Sequence, residues 1–324
     1  MSATERPRTI VTVTLNPSVD RTVEIALLER GRVTRATGSG IHPGGKGVNV
    51  TRALLANGHD SLALLPVGGA DGRRLVELLE HDAVAHVAVP VQGETRSNIT
   101  IAEPDGTTTK LNATGERLLP AELDAVTARL LEVASAGDWV VLCGSLPPGV
   151  DDDVYARATT ALRAAGMHVV VDTSGPALNA ALPAGPDLIK PNAEELAAAV
   201  GREVTTIGEA VEAASELRAQ GVGTVVISLG GAGAVLVDGE GVLAGTSYAP
   251  EVRSSVGAGD CFLAGYLSAR DGGREVALRT ALAFGAAAVQ LPGSQVPTPE
   301  DVDLSAARLL SPAELEQALG NPVD

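Results

Sequence analysis

Trp139-Val140-Val141-Leu142-Cys143 and His168-Val169-Val170-Val171-Asp172 are two short apolar runs rich in β-branched residues. Neither alternates with polar residues, which is how a strand buried on both faces reads. Between them Asp153 to Ala165 carries helical spacing. Asp187 to Lys190 and Thr224 to Ser228 are further short strands, with a helical pattern at Ile207 to Gln220. This alternation argues for βαβ units and a parallel sheet covered by helices on both faces. Upstream, Ile10 to Leu15 and Ser61 to Pro66 read as strands, and Lys46 to Asn57 and Asp71 to Glu80 as helices. Downstream, Ala234 to Asp238 and Val242 to Tyr248 read as an edge pair, followed by Ala-rich helices at Asp260 to Ala269 and Val276 to Gln290.

One part breaks the pattern. Thr95 to Ile101 and Thr107 to Leu111 alternate and are Thr-rich, and Pro104-Asp105-Gly106 between them signals a hairpin turn. With Val19 to Val33 they suggest a small separate β-sheet. The expectation is one α/β domain over 1–324. It has three layers, with a Rossmann-like, mostly parallel sheet, and carries a small β-lid from about 18–35 and 93–113.

Composition narrows the function. Of 324 residues 45% are hydrophobic and only 2% aromatic, so the core is built mostly of Ala, Val and Leu. The net charge of -16 argues against nucleic acid or an anionic membrane as partner, and an anionic substrate needs a local cationic pocket. Met1 to Thr9 is polar and lacks the apolar core of a signal peptide, and apolar runs stop short of a bilayer span. Cys143 and Cys261 form no metal-site spacing and read as small buried hydrophobes of a reduced, cytoplasmic protein. His42, His59, His81, His86 and His168 show no metal-ligand arrangement.

Four segments carry chemistry. Ser254-Ser255-Val256-Gly257-Ala258-Gly259-Asp260 is a glycine turn opening a helix, a setting that favours anions through free N–H groups and the helix dipole. An acid inside such a turn makes sense if it must take a proton beside a transferring phosphoryl group. Asp260 also fits a plain first-turn helix acid. Gly40-Ile41-His42-Pro43-Gly44-Gly45-Lys46-Gly47-Val48-Asn49 approaches a P-loop, but Gly47 stands where Ser or Thr would hold Mg²⁺, so that reading is rejected. It reads instead as a glycine turn that can hold a polyhydroxy ligand closely, with Lys46 and Asn49 at its helix start. Lys190-Pro191-Asn192 ends a strand, and Asn192 with Glu195 makes a capping-box pattern. Lying at the carboxyl edge of the sheet, where ligands gather, the same residues also suit Mg²⁺ held through water. Arg96, on the expected lid, is either solvated or a phosphate clamp. Two further turns are weaker. Asp20 follows the first strand and can meet sugar hydroxyls, and Ser228 to Gly233 is a glycine turn fit for a nucleotide phosphate.

Together these blocks resemble the ribokinase-like (PfkB) carbohydrate kinases along nearly the whole chain. The branch most resembled holds 1-phosphofructokinases and tagatose-6-phosphate kinases. Carrying the resemblance are Thr-Leu-Asn-Pro at 14–17 with Asp20, Pro-Gly-Gly-Lys-Gly at 43–47 with Asn49, and Thr-Arg at 95–96. Gly-Ser-Leu-Pro-Pro-Gly at 144–149, Lys-Pro-Asn at 190–192 with Glu195, Ser-Leu-Gly at 228–230 and Gly-Ala-Gly-Asp at 257–260 complete it. The resemblance implies a ribokinase-like fold with ATP and Mg²⁺, and Asp260 as base beside an anion hole of Gly257, Ala258 and Gly259. It implies that Asp20, Gly44, Gly45 and Asn49 hold the sugar, and that Lys46, Arg96 and Ser145 serve its phosphate. Lys190, Asn192, Ser228, Gly230 and Gly233 would border ATP, and Glu195 with Asn192 the metal. The expected acceptor is fructose 1-phosphate, ahead of tagatose 6-phosphate and fructose 6-phosphate, and a homodimer through the lid is implied. A neutral-sugar or nucleoside kinase and a non-catalytic nucleotide-binding regulator are the rival readings.

Overall fold

The computed structural model describes residues 9–323; the polar segment Met1 to Arg8, on which the absence of a signal peptide was read, lies outside them. The chain begins β1 (Ile10–Thr14), β2 (Ser18–Glu24), β3 (Gly38–Gly44), α1 (Lys46–Ala56), β4 (Ser61–Val67), α2 (Gly69–His81) and β5 (His86–Pro90). It continues through β6 (Arg96–Ala102), β7 (Thr108–Leu111), α3 (Pro120–Val133), β8 (Trp139–Cys143), α4 (Val154–Ala164), β9 (His168–Asp172), α5 (Gly175–Ala181), β10 (Leu188–Ile189) and α6 (Ala193–Val200). The remainder is α7 (Ile207–Ala219), β11 (Thr224–Ser228), β12 (Ala234–Asp238), β13 (Gly241–Ser247), α8 (Ala258–Ala269), α9 (Arg274–Val289), β14 (Ala307–Leu309) and α10 (Pro312–Ala318).

A ten-stranded sheet runs β14-β13-β12-β11-β10-β9-β8-β1-β4-β5. It is parallel from β11 to β5 and gains β12, β13 and β14 antiparallel at one edge. Side chains alternate between faces along each strand. Val140 and Leu142 of β8 therefore join the core under α3 to α7, while Val141 and Cys143 face the core under α1, α8 and α9. Burial on both faces is what the unbroken apolar runs require. The core's small residues let helices approach closely: a Cβ on Gly265 of α8 would sit 2.8 Å from the Phe284 ring of α9. Among the described residues no helix is long and apolar enough to cross a membrane.

The second sheet has the order β3-β2-β6-β7, with β2 antiparallel to β3 and parallel to β6. It recruits Gly38–Gly44, which the sequence suggested was part of a glycine turn, whereas residues 25–37 add no strand. Three glycines and a proline give β3 little strand preference of its own. It forms because β2 offers a complete partner, in register from Ser18 against Gly44 to Glu24 against Gly38.

Candidate active site

The strand order reverses between β1 and β8, since β4 and β5 lie on one side of that pair and β9 to β11 on the other. Open parallel sheets leave a crevice at the carboxyl ends of the strands at such a point. Asn16 follows β1 and Ser145 follows β8, and Asn16 Nδ2 donates to Ser145 Oγ at 3.4 Å across the gap. Every block singled out in the sequence ends at this edge or in the small sheet beside it.

Asp260 occupies the third position of α8, after Gly257 at the N-cap with φ of 76°, in the left-handed region that glycine adopts without strain. The first-turn N–H groups of a helix have no partner within it, so this end presents donors to an anion. Asp260 is nonetheless 7% exposed. Burial, then the charge of Asp172, push its carboxyl up to about 6, against the pull of Lys46, the Asn49 hydrogen bond and Lys190. Asn49 Nδ2 donates to Asp260 Oδ2 at 2.8 Å. A buried carboxyl poised near neutrality with one oxygen engaged has the makings of a general base.

The second half of the site starts α1. Gly44 is required for contact: a Cβ there would fall 2.3 Å from Asp20 Oδ2. Asp20 itself is held by Ser18 Oγ at 2.7 Å and Asn98 Nδ2 at 3.0 Å, both donating to Oδ1. Gly45 turns the chain at φ of 116°, directly over Thr14.

Asp172 is the hub. Lys46 Nζ donates to its Oδ1 at 2.9 Å, and Lys190 Nζ lies 3.6 Å from the same oxygen. Burial works against the Asp172 charge, yet Lys190 and Lys46 outweigh it and hold the carboxyl below the ordinary range. Burial likewise opposes the charge on Lys46, and Asp172, Glu195 and Asp260 more than reverse this, lifting its pKa well above the usual lysine value. The sequence reading passed over Asp172 as a strand end. The available signal was a carboxylate at the carboxyl terminus of a parallel strand whose middle is three valines.

Asn192 and Glu195 form the reciprocal capping box, with Asn192 Oδ1 accepting from Glu195 N at 2.7 Å and Glu195 Oε2 accepting from Asn192 N at 3.0 Å. The other carboxylate oxygen, Glu195 Oε1, lies 3.4 Å from Lys46 Nζ. A structural cap and a place in the charged cluster thus coexist. Ser228 sits beside Asn192 through an isolated parallel bridge, with Ser228 N donating to Pro191 O. Gly230 and Gly233 shape the turn that follows, and a Cβ on Gly233 would strike Gly245 O at 2.2 Å.

Arg96 opens β6 of the small sheet. Its Nε donates to Asn16 O at 3.1 Å and its Nη1 to Ala113 O at 2.8 Å, so two carbonyls aim the guanidinium. Burial lowers its pKa and the nearby Asp20 opposes this, so both belong to the neighbourhood of the small sheet. Arg96, Asn16, Thr95 and Arg117 line a common pocket there.

Residues 13–301 match the model of the pfkB family carbohydrate kinases. This chain belongs to the pfkB family. Among its relatives is a 1-phosphofructokinase of Rhodobacter capsulatus, 42% identical over 298 residues that cover 90% of this chain and 93% of that protein. A 1-phosphofructokinase of Haloferax volcanii is 40% identical, covering 90% and 95%. Among solved structures, phosphofructokinase-2 of Escherichia coli in complex with fructose-6-phosphate superposes with a TM-score of 0.85 at 32% identity, over 91% of this chain and 96% of that one. The pfkB kinase described here therefore has the expected fold, a large mostly parallel sheet between helices with a small sheet beside it.

Proposed function

We propose that this kinase transfers the γ-phosphoryl group of ATP to a primary hydroxyl of a ketohexose phosphate, with fructose 1-phosphate as acceptor and fructose 1,6-bisphosphate as product. The observation that carries the reading is Asp260: a buried carboxyl pushed up to about 6, at a helix start that offers anion-binding donors. Two relatives of about 40% identity named 1-phosphofructokinase support the acceptor.

In this reading the small sheet is a lid over the crevice, and Asp20, Gly44, Gly45 and Asn49 hold the sugar. Arg96 and Ser145 bind the phosphate it already carries. Asp260 takes the proton of the free primary hydroxyl, and that oxygen attacks the γ-phosphorus as the bond to ADP breaks. The amides of Gly257, Ala258 and Gly259 and the ammonium of Lys46 face the charge that develops on the transferring group. Lys46 is assigned here on its pairing with Asp172 and Glu195, the two carboxylates of the charged cluster. Lys190, Asn192, Ser228, Gly230 and Gly233 border the nucleotide along the sheet edge.

The site also suits Mg²⁺. Among the described residues Asp172 Oδ2 is buried with no hydrogen-bond partner, and hard oxygen donors are what that ion takes. Asp172 and Glu195 would hold it, with Asn192 reached through water, and it would supply charge neutralisation at the phosphates. The exposed side chains of Ile99 and Leu111 on the small sheet, with Leu27, Leu28 and Val33 beside it, fit a surface for a second copy of the chain. Two unpaired buried thiols fit a reducing cytoplasm.

The test is ADP release with four acceptors side by side: fructose 1-phosphate, fructose 6-phosphate, tagatose 6-phosphate and unphosphorylated fructose. Fructose 1-phosphate should give the highest kcat/KM and fructose the lowest. Preference for another phosphate would keep the mechanism and move the acceptor. Equal turnover of unphosphorylated fructose would overturn the role of Arg96.

A further inference from the structure

Arg52 is a charged side chain inside the apolar part of α1, 8% exposed, one turn beyond Asn49. Its Nη1 donates to Ser294 O at 3.0 Å and to Asn49 Oδ1 at 3.4 Å. Its Nη2 lies 3.8 Å from Asp82 Oδ2, just beyond α2. Helix α1, the end of α2 and the loop after α9 therefore meet on one guanidinium.

The direction of these bonds matters. A primary amide can face either way, and its neighbours decide which end points where. Arginine offers donors only, so the side of Asn49 that meets Arg52 must be the carbonyl oxygen. The amide nitrogen is then turned toward Asp260, where it donates at 2.8 Å. Turned over, the amide would set its oxygen against the Asp260 carboxylate and its nitrogen against a guanidinium, two repulsive contacts in place of two attractive ones. Asn49 is 5% exposed, so bulk solvent has little access to absorb the mismatch.

We propose that Arg52 is a positioning residue for phosphoryl transfer: by fixing the orientation of the Asn49 amide, it holds the Asp260 carboxylate in place to meet the acceptor hydroxyl. This rests on Asp260 being the base. Arg52 itself touches no reacting atom. Its guanidinium, clamped by Ser294 and Asp82, gives the amide a fixed rather than a flexible reference, and small displacements at a reacting group are costly in rate.

The experiment is a double-mutant cycle with ATP and fructose 1-phosphate, using Arg52→Met, Asn49→Ala and the pair together, with thermal melts of each. Arg52→Met should lower kcat by up to about a hundredfold, the scale on which misplacement of a reacting group acts. KM for ATP should stay near wild type. With Ala at position 49 there is no amide to orient, so Arg52→Met should then change kcat by less than about twofold, which is within the resolution of such a cycle. Losses that simply multiply in the double variant would overturn the proposal. Arg52→Lys keeps a cation for Asp82 and covers the case in which Arg52→Met does not fold. It should melt near wild type yet remain slow, and a Lys variant with wild-type kcat would contradict the proposal. The base assignment fails separately, if Asp260→Asn keeps its rate.

Discussion

Asp260→Asn should lose ~10²- to 10⁴-fold in kcat, the usual range for a positioned acid–base group. KM for ATP should stay close to wild type, because Asp260 acts on the acceptor hydroxyl and does not hold the nucleotide. The change is nearly isosteric, and Asn49 Nδ2 can still donate to an amide oxygen at position 260. The variant should also be more stable than wild type at pH 8. A carboxyl raised from 3.8 to about 6 binds protons more tightly folded than unfolded. The sign is therefore opposite to that of a salt-bridged acid: stability falls as pH rises between those values and stays reduced above them. A rise of that size corresponds to about 3 kcal/mol, and Asn escapes the cost. Steady-state kinetics and urea unfolding at pH 8 check both halves. A slow and destabilised variant would mean that the substitution damaged the fold; a fast one would remove Asp260 from the chemistry.

Asp172→Asn should act the other way on stability. Asp172 and Lys190 are 1% and 4% exposed, and Lys46 shares the same carboxylate oxygen. Removing one partner of a buried ion pair leaves the other uncompensated, at a cost of about 3–5 kcal/mol. Urea unfolding at neutral pH should show most of that loss, and turnover should fall with it. Here the folded carboxyl lies below the ordinary 3.8, so its contribution is complete above that value and is lost as pH falls through the lower, folded value. The gap between wild type and variant should accordingly narrow only in strong acid. Equal stability at neutral pH would show that the two lysines do not depend on Asp172.

The parallel strands were legible because burial on both faces favours near-continuous apolar runs, as at Val140–Cys143 in β8 and Val169–Val171 in β9. The glycine turns were legible because few other residues permit their backbone. Strand β3 was not, since its pairing comes from β2 and not from its own glycines. Strand β5, His86-Val-Ala-Val-Pro90, lies at the sheet edge, where one polar and one proline residue hide a short strand. Within the site, the sequence offered candidate residues but not which of them meet. The resemblance gave Lys46 a phosphate role, but its pairing with Asp172, 126 residues away, had no mark in the sequence. Asp172 looked like the end of a strand. Each acquires meaning only from a partner distant in the chain.

The most direct test of the account is the pH dependence of kcat/KM for fructose 1-phosphate in the wild-type enzyme under saturating ATP. If Asp260 must be ionised to accept the hydroxyl proton, kcat/KM should climb about tenfold per pH unit below a limb near 6 and level off above it. A profile that stays flat from pH 5 to 8 would contradict the claim that this buried carboxyl is the base.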